Sequence, residues 1–312
     1  MRPEIRRLQG AMREQGYIAE ASIVTAVHLA RSMEKPLLVE GDAGVGKTEI
    51  AKVMAAIRGT GLIRLQCYEG LDVNTALYEW NYQKQLLRLR MAADERAAHG
   101  HDADGSDVDG WHDADGLEDL IFGRRYLLER PLLRAITRPD AGAVLLIDEI
   151  DRADEGFEAF LLEVLSDFQV TIPELGTIRA AHRPLVLLPS NRTREIGDAL
   201  RRRCLYLYIE HPPFEKEVEI VRTKAPGIGE ALAIEITHFV QALRKRSLMK
   251  PPGVAETLDW ARALITLHRD RLDAEIVGET LGCLGKVRHD MRELERGESA
   301  ALVGAGAAGT TA

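Results

Sequence analysis

Cysteine is scarce in this sequence, and its three thiols, Cys67, Cys204 and Cys283, stand too far apart to fit a zinc-finger or redox spacing. A disulfide framework is therefore not expected; three reduced, buried thiols in a cytoplasmic setting are. Long apolar runs are missing as well, since none reaches the roughly 20 residues of a membrane-spanning helix. The first residues, Met1-Arg2-Pro3-Glu4-Ile5-Arg6-Arg7, carry charge without a following apolar stretch, so no secretory signal is expected. Nor is there an excess of positive charge. A formal net charge of −8 gives no general attraction to nucleic acid or to an anionic membrane. What the 312 residues do have is 46% hydrophobic content, enough for one large core with a smaller one beside it.

The chain is organised around the stretch Gly41-Asp42-Ala43-Gly44-Val45-Gly46-Lys47-Thr48-Glu49. It follows the apolar run Pro36-Leu37-Leu38-Val39 and opens a helix-forming run that reaches Ile57. That is the strand, loop and helix context of a phosphate-binding loop of the form G-x-x-x-x-G-K-[ST]. Glycines let successive backbone N–H groups turn inward at phosphate oxygens, and the helix adds its positive end. Lys47 would neutralise β and γ phosphates and the Thr48 hydroxyl would bind Mg²⁺, so ATP and Mg²⁺ are the expected cofactors. An ordinary glycine turn beside a surface lysine is the plain competitor, and the flanking pattern argues against it.

Residues 19–33 repeat apolar side chains at helical spacing. Four further runs, 62–68, 142–150, 183–191 and 204–210, read as strands rich in Leu, Ile, Val or Tyr. Helical or polar segments separate them, which predicts a five-stranded parallel sheet covered on both faces, a P-loop NTPase core over residues 1–212. The second site lies at Ala143-Val144-Leu145-Leu146-Ile147-Asp148-Glu149. An apolar strand ending in two acids puts carboxylates at the C-terminal edge of the sheet, where ligands bind in open α/β folds. Asp148 would hold the Mg²⁺ hydration shell and Glu149 would orient the attacking water. Alone, the same pattern would also describe a core strand running into a solvated acidic turn.

Together, GDAGVGKT, VLLIDEID and the later Gln169-Val170-Thr171-Ile172-Pro173-Glu174-Leu175-Gly176-Thr177-Ile178-Arg179 resemble the MoxR-type AAA+ ATPases. The resemblance implies that the last segment is a β-hairpin inserted before a sensor strand, and its alternation of Val170, Ile172 and Ile178 about a glycine suits a hairpin independently. Three further segments are similar to the branch named for the carbon monoxide dehydrogenase accessory protein CoxD: LQCYEGLD from Leu65, ALYEWNY from Ala76 and FGRRYLLERPL from Phe122. From the resemblance, Asn191 would be the polar sensor at a strand end, and Asp198-Ala199-Leu200-Arg201-Arg202-Arg203-Cys204 the arginine-finger segment. Arg202 is the first choice for the finger, with Arg201 and Arg203 as neighbours, because a guanidinium forks onto transition-state oxygens. A solvated helix end would use the same three arginines. The family's lid arginine has no counterpart before Arg262, so that role stays unassigned.

Residues 84–122 form an insertion whose first part is helical in pattern and whose second, 99–113, is an acidic low-complexity stretch. It does not match a calcium loop; a site at His99, His101 and His112 is conceivable, and a solvated, partner-contacting loop is the preferred reading. Past Pro212-Pro213 the pattern is helical only, over 214–222, 230–246, 254–268 and 274–294, which predicts a small all-α lid over 213–297. The tail 298–312 is expected to be disordered. The resemblance implies a homo-oligomeric ring, a hexamer, that remodels a protein client, with a von Willebrand A-domain partner and the metal centre of a molybdenum-containing carbon monoxide dehydrogenase or related hydroxylase as the object of maturation. A nucleotide-gated scaffold with little hydrolysis and a DNA-remodelling ATPase are the alternatives; no nucleic-acid partner is expected.

Overall fold

The computed structural model describes residues 2–99, 121–139 and 142–295. The acidic stretch with His101 and His112, and the tail 298–312, lie outside the described residues. Nine strands are described: β1 Leu37–Gly41, β2 Leu62–Gln66, β3 Tyr78–Trp80, β4 Leu127–Glu129, β5 Val144–Asp148, β6 Gln169–Ile172, β7 Gly176–Arg179, β8 Leu185–Ser190 and β9 Leu205–Ile209. The main sheet is parallel throughout, in the order β2-β5-β8-β1-β9. Its inner strands β1, β5 and β8 are buried at every position. That is why they read as unbroken apolar runs, whereas the edge strands β2 and β9 bury only part of their residues.

Side chains alternate across this sheet with period two and feed two separate apolar layers. One layer joins Leu38, Leu145, Ile147 and Val186 to Leu133, Phe157 and Leu161; the other joins Leu37, Val39, Val144 and Leu187 to Met12, Val27, Ile50 and Met54. Helices α1 Pro3–Glu14, α2 Ala21–Ser32 and α3 Lys47–Arg58 supply the second layer. Helix α1 escapes sequence reading because only Ile5, Leu8 and Met12 are buried among many charges. Between the expected strands lie α4 Val73–Ala76 and α5 Tyr82–His99, and the short pair β3 and β4 closes the base of the insertion as an antiparallel ladder. Trp80 packs edge-on against Phe122, with ring centroids 5.2 Å apart.

After α6 Pro131–Ile136 and β5 comes α7 Glu155–Asp167, which leads into the hairpin of β6 and β7. There Val170 and Ile172 face inward while the Thr171 and Thr177 hydroxyls meet at 3.0 Å on the outer side. Helix α8 Asp198–Arg203 precedes β9, and from there the chain is helical: α9 Phe214–Lys224, α10 Glu230–Arg244, α11 Val254–Thr266, α12 Ala274–Thr280 and α13 Arg288–Glu295. These helices have a core of their own around Phe239, Trp260, Leu243 and Ile276. The expected single helix over 274–294 is broken, since a 3₁₀ turn at Leu281–Cys283 separates α12 from α13. After the turn the chain packs back on itself, with the Met291 thioether where a side chain at Gly285 would begin. Among the described residues no helix is long and apolar enough to cross a membrane.

The helical region rests on the phosphate loop itself. The Ala255 N–H donates to Gly44 O at 3.2 Å, and a Cβ at Gly253 would lie 2.5 Å from Ala43 O and 2.8 Å from Gly44 Cα. Glycine is required on both sides of this seam, by close approach at Gly253 and by a left-handed φ of 77° at Gly44.

Candidate nucleotide site

Because the strands are parallel, β1, β5 and β8 deliver their C-terminal residues Gly41, Asp148 and Ser190 to one edge of the sheet. The loop after β1 enters helix α3 through Gly46, whose φ of 92° aims the first turn of N–H groups into the loop's concavity. Lys47 is buried, and its ammonium donates to Gly41 O and Asp42 O, each at 2.7 Å. Burial holds its pKa below the ordinary lysine value, against the pull of Asp42 and Asp151, and the nearby Arg192 acts in the same direction as burial. Arg192 itself donates to Asp42 Oδ1 at 3.3 Å and stacks over Tyr208.

Thr48 and Asp148 come together, with Oγ1 3.4 Å from Oδ1. The other carboxylate oxygen, Oδ2, accepts from Arg64 Nη2 at 2.6 Å. Sequence reading missed Arg64; the only local signal is a basic residue inside a strand. Glu149 follows with a left-handed φ of 54°, an uncommon state for a residue with a Cβ, and its carboxylate pairs with Arg152 Nε at 3.1 Å. Asp151 is buried and accepts from the Thr193 N–H at 2.9 Å and the Thr193 hydroxyl at 2.6 Å, which ties the acidic turn to the loop after β8. Asn191 stands at the start of that loop, on the cavity wall beside Pro189.

These groups line a cavity of 610 Å³ that is bordered by α11 and open to solvent. Gly44, Lys47, Thr48, Asp148, Glu149 and Asn191 give its lining the groups of the phosphate loop and of the strand ends, and Tyr17, Ile23, Ile209, Pro212 and Leu258 give it apolar surface that suits a flat heterocycle. Lys52 and Lys224 hold Glu49 on the same wall; together they bring its pKa below the ordinary value, although burial alone would raise it. Arg262 also reaches the cavity and pairs there with Asp259, Nη1 to Oδ1 at 3.2 Å. A hydroxyl and one carboxylate, Thr48 and Asp148, are the donors Mg²⁺ takes from protein when phosphate and water supply the rest, so the pair fits that ion.

Of the three arginines of α8, Arg201 turns back on its own sheet. Its Nη2 donates to the buried Glu40 at 2.9 Å, and Glu40 also accepts from the Tyr206 hydroxyl at 3.0 Å. Arg202 and Arg203 are exposed. The helix is anchored from α7, where Glu158 accepts from the Gly197 N–H at 2.8 Å and pairs with Arg194.

The profile of the AAA domain (dynein-related subfamily) matches residues 36–204, from the first core strand to the end of α8. The chain belongs to the AAA domain family. Its α/β core is the P-loop NTPase fold of that family, which implies nucleotide binding. The Holliday junction branch migration complex subunit RuvB of Fervidobacterium nodosum is 27% identical over 172 residues, covering 53% of this chain and 49% of that protein. RuvB of Thermotoga maritima is 26% identical over 170 residues, covering 52% and 50%. The chain thus spans about half the length of these curated relatives. An uncharacterized protein of Staphylococcus haemolyticus is 23% identical over 243 residues, covering 76% of this chain and 78% of that protein. Among solved structures, the Thermotoga maritima RuvB branch migration motor aligns with a TM-score of 0.45 at 19% identity, covering 91% of this chain and 71% of that one.

Proposed function

We propose that this AAA protein hydrolyses ATP with Mg²⁺ and uses the cycle to remodel a protein client. The observation that carries the reading is the meeting of Thr48 and Asp148 on the wall of the cavity that Lys47 and Glu149 also line. In this reading the loop from Gly41 to Glu49 holds the phosphates, with Lys47 exchanging its carbonyl partners for phosphate oxygens. Thr48 and Asp148 would hold Mg²⁺, which when bound would supply positive charge to the phosphate oxygens. Glu149 leaves Arg152 to orient the attacking water, and Asn191, which follows the adjacent strand β8, fixes that water beside it. The water oxygen bonds to the γ phosphorus as the bond from that phosphorus to the β-bridging oxygen breaks; the water's protons end on phosphate and in solvent, and ADP and phosphate leave. Arg202, with Arg203 beside it, would reach the transition state of a neighbouring copy, so the working form is a ring, taken to be a hexamer.

For the client, the reading follows the CoxD-like segments: maturation of the metal centre of a molybdenum-containing hydroxylase, with a von Willebrand A-domain partner, in the cytoplasm. A DNA-remodelling motor is the second reading, favoured by the branch migration named in the RuvB relatives. The net charge of −8 opposes it. A scaffold with little hydrolysis would have no use for Glu149.

The test is Glu149→Gln in the full chain. Retained ATP binding with turnover reduced about 10²- to 10⁴-fold supports hydrolysis through Glu149; unchanged turnover removes it. Tight, salt-sensitive duplex DNA binding by the unmodified protein would replace the client reading with the DNA reading.

A further inference from the structure

Strand β2 lies at the edge of the sheet, where Ile63 and Leu65 point into the core and Arg64 and Gln66 point out. The Arg64 guanidinium lies across the end of β5: Nη2 donates to Asp148 Oδ2 at 2.6 Å and to Gln66 Oε1 at 2.8 Å. Asp148 shows only 9% of its side chain to solvent, so water does little to orient or solvate its charge. Its two oxygens are chemically equivalent, and each has a different partner here. Oδ2 is held by Arg64, which leaves Oδ1 facing Thr48 Oγ1 at 3.4 Å.

We propose that Arg64 is a positioning residue for Asp148, pinning one carboxylate oxygen so that the other is presented with Thr48 to the Mg²⁺ of bound nucleotide. The inference rests on the nucleotide reading above. Two effects of Arg64 oppose each other: its charge repels a cation, and its hydrogen bond orients the cation's ligand. The guanidinium is 57% exposed, so solvent screens its field, whereas the bond to Asp148 is short and charge-assisted at both ends. Orientation therefore wins, and removing Arg64 weakens Mg²⁺ binding instead of strengthening it. Arg64 also sits on the outer edge of the sheet, where a partner's carboxylate could draw it off Asp148.

The experiment titrates Mg²⁺ against binding of a fluorescent ATP analogue by the full chain, with an EDTA series as the Mg²⁺-free baseline and a thermal melt of each variant. In Arg64→Ala the Mg²⁺ concentration for half-maximal binding should rise about tenfold, the usual scale for loss of an outer-shell partner. Mg²⁺-free affinity should stay put, which a merely structural role would not allow, while the melting midpoint should fall by about a few degrees with the loss of the ion pair. Arg64→Lys, a point charge without a fork, should recover part of the loss, and it decides the matter if Arg64→Ala does not fold. An unchanged or lowered Mg²⁺ requirement in both variants overturns the inference while leaving the nucleotide reading intact. Absence of Mg²⁺-dependent binding in the unmodified protein overturns both.

Discussion

Arg201 and Glu40, 161 positions apart, form an ion pair in which Nη2 donates to Oε1 at 2.9 Å and the carboxylate is 94% withdrawn from solvent. Arg201 thus has its partner within its own chain, and in the proposed mechanism the intersubunit finger falls to Arg202, with Arg203 beside it. Arg201→Ala should cost about 1–3 kcal/mol, less than a fully enclosed pair because the arginine is itself partly solvated and Tyr206 remains on Glu40. Arg202→Ala should move stability by less than about 0.5 kcal/mol. Urea denaturation measures both. ATP turnover against protein concentration completes the test: Arg202→Ala mixed into unmodified protein should suppress the cooperative rise, and turnover indifferent to concentration would count against a finger in trans.

Gly253→Ala places a methyl group 2.5 Å from Ala43 O, against backbone that has nowhere to retreat. The expected outcome is a fold that melts within a few degrees of the original but binds ATP about tenfold more weakly, because α11 can no longer seat on the loop. Isothermal titration with the nucleotide checks it.

The Arg244 guanidinium forks onto the fully buried Glu217, at 2.6 and 2.7 Å, and Thr257 adds a hydrogen bond of 3.0 Å to the same carboxylate. Removing the arginine alone should cost about 3–5 kcal/mol, while replacing both partners, Glu217→Leu with Arg244→Met, should recover most of it. Calorimetry of the single and double variants separates these outcomes. Equal losses in both would mean that the surrounding helices cannot repack around an apolar pair.

Burial pushes the thiols of Cys67 and Cys204 up to about 12, and Asp148, Asp151 and Glu149 add to the effect on Cys67. The folded chain therefore keeps protons that the unfolded chain releases near the ordinary value of 9.0. Their stabilising contribution is complete below that value and is lost as pH rises from there toward about 12. Urea midpoints measured from pH 8 to 11 should fall more steeply for the unmodified protein than for Cys67→Ala with Cys204→Ala, each compared with its own value at pH 8. Identical slopes would show that the thiols are not the groups responsible.

Inner strands were legible because a strand covered on both faces must be apolar at every position, as in Val144 to Ile147. The phosphate loop was legible because its constraints lie within a few consecutive residues. What could not be read is pairing over long separations: Arg64 with Asp148, Arg201 with Glu40, and Asp151 with Thr193 each join residues whose own neighbourhoods carry no mark of the partner. Helix α1 hid behind its charges, and the β3–β4 ladder behind its length. The break between α12 and α13, after which Met291 packs on Gly285, leaves no mark in an apolar spacing that fits a continuous helix equally well.

The seam between Gly44 and Gly253 also has a mechanical meaning. Side chains dissipate small displacements by changing rotamer, whereas the closest approach here is backbone against backbone, with the Glu256 carboxylate beside it. Helix α11 is 13 residues long, about 20 Å, and is held at one end by this contact. Any tilt of this helix would turn about the phosphate loop. A tilt of about 5° at Gly253 would carry Thr266 through roughly 2 Å at that length, and because Trp260, Ala261 and Leu264 are buried in the helical core along the way, that core would have to move with it.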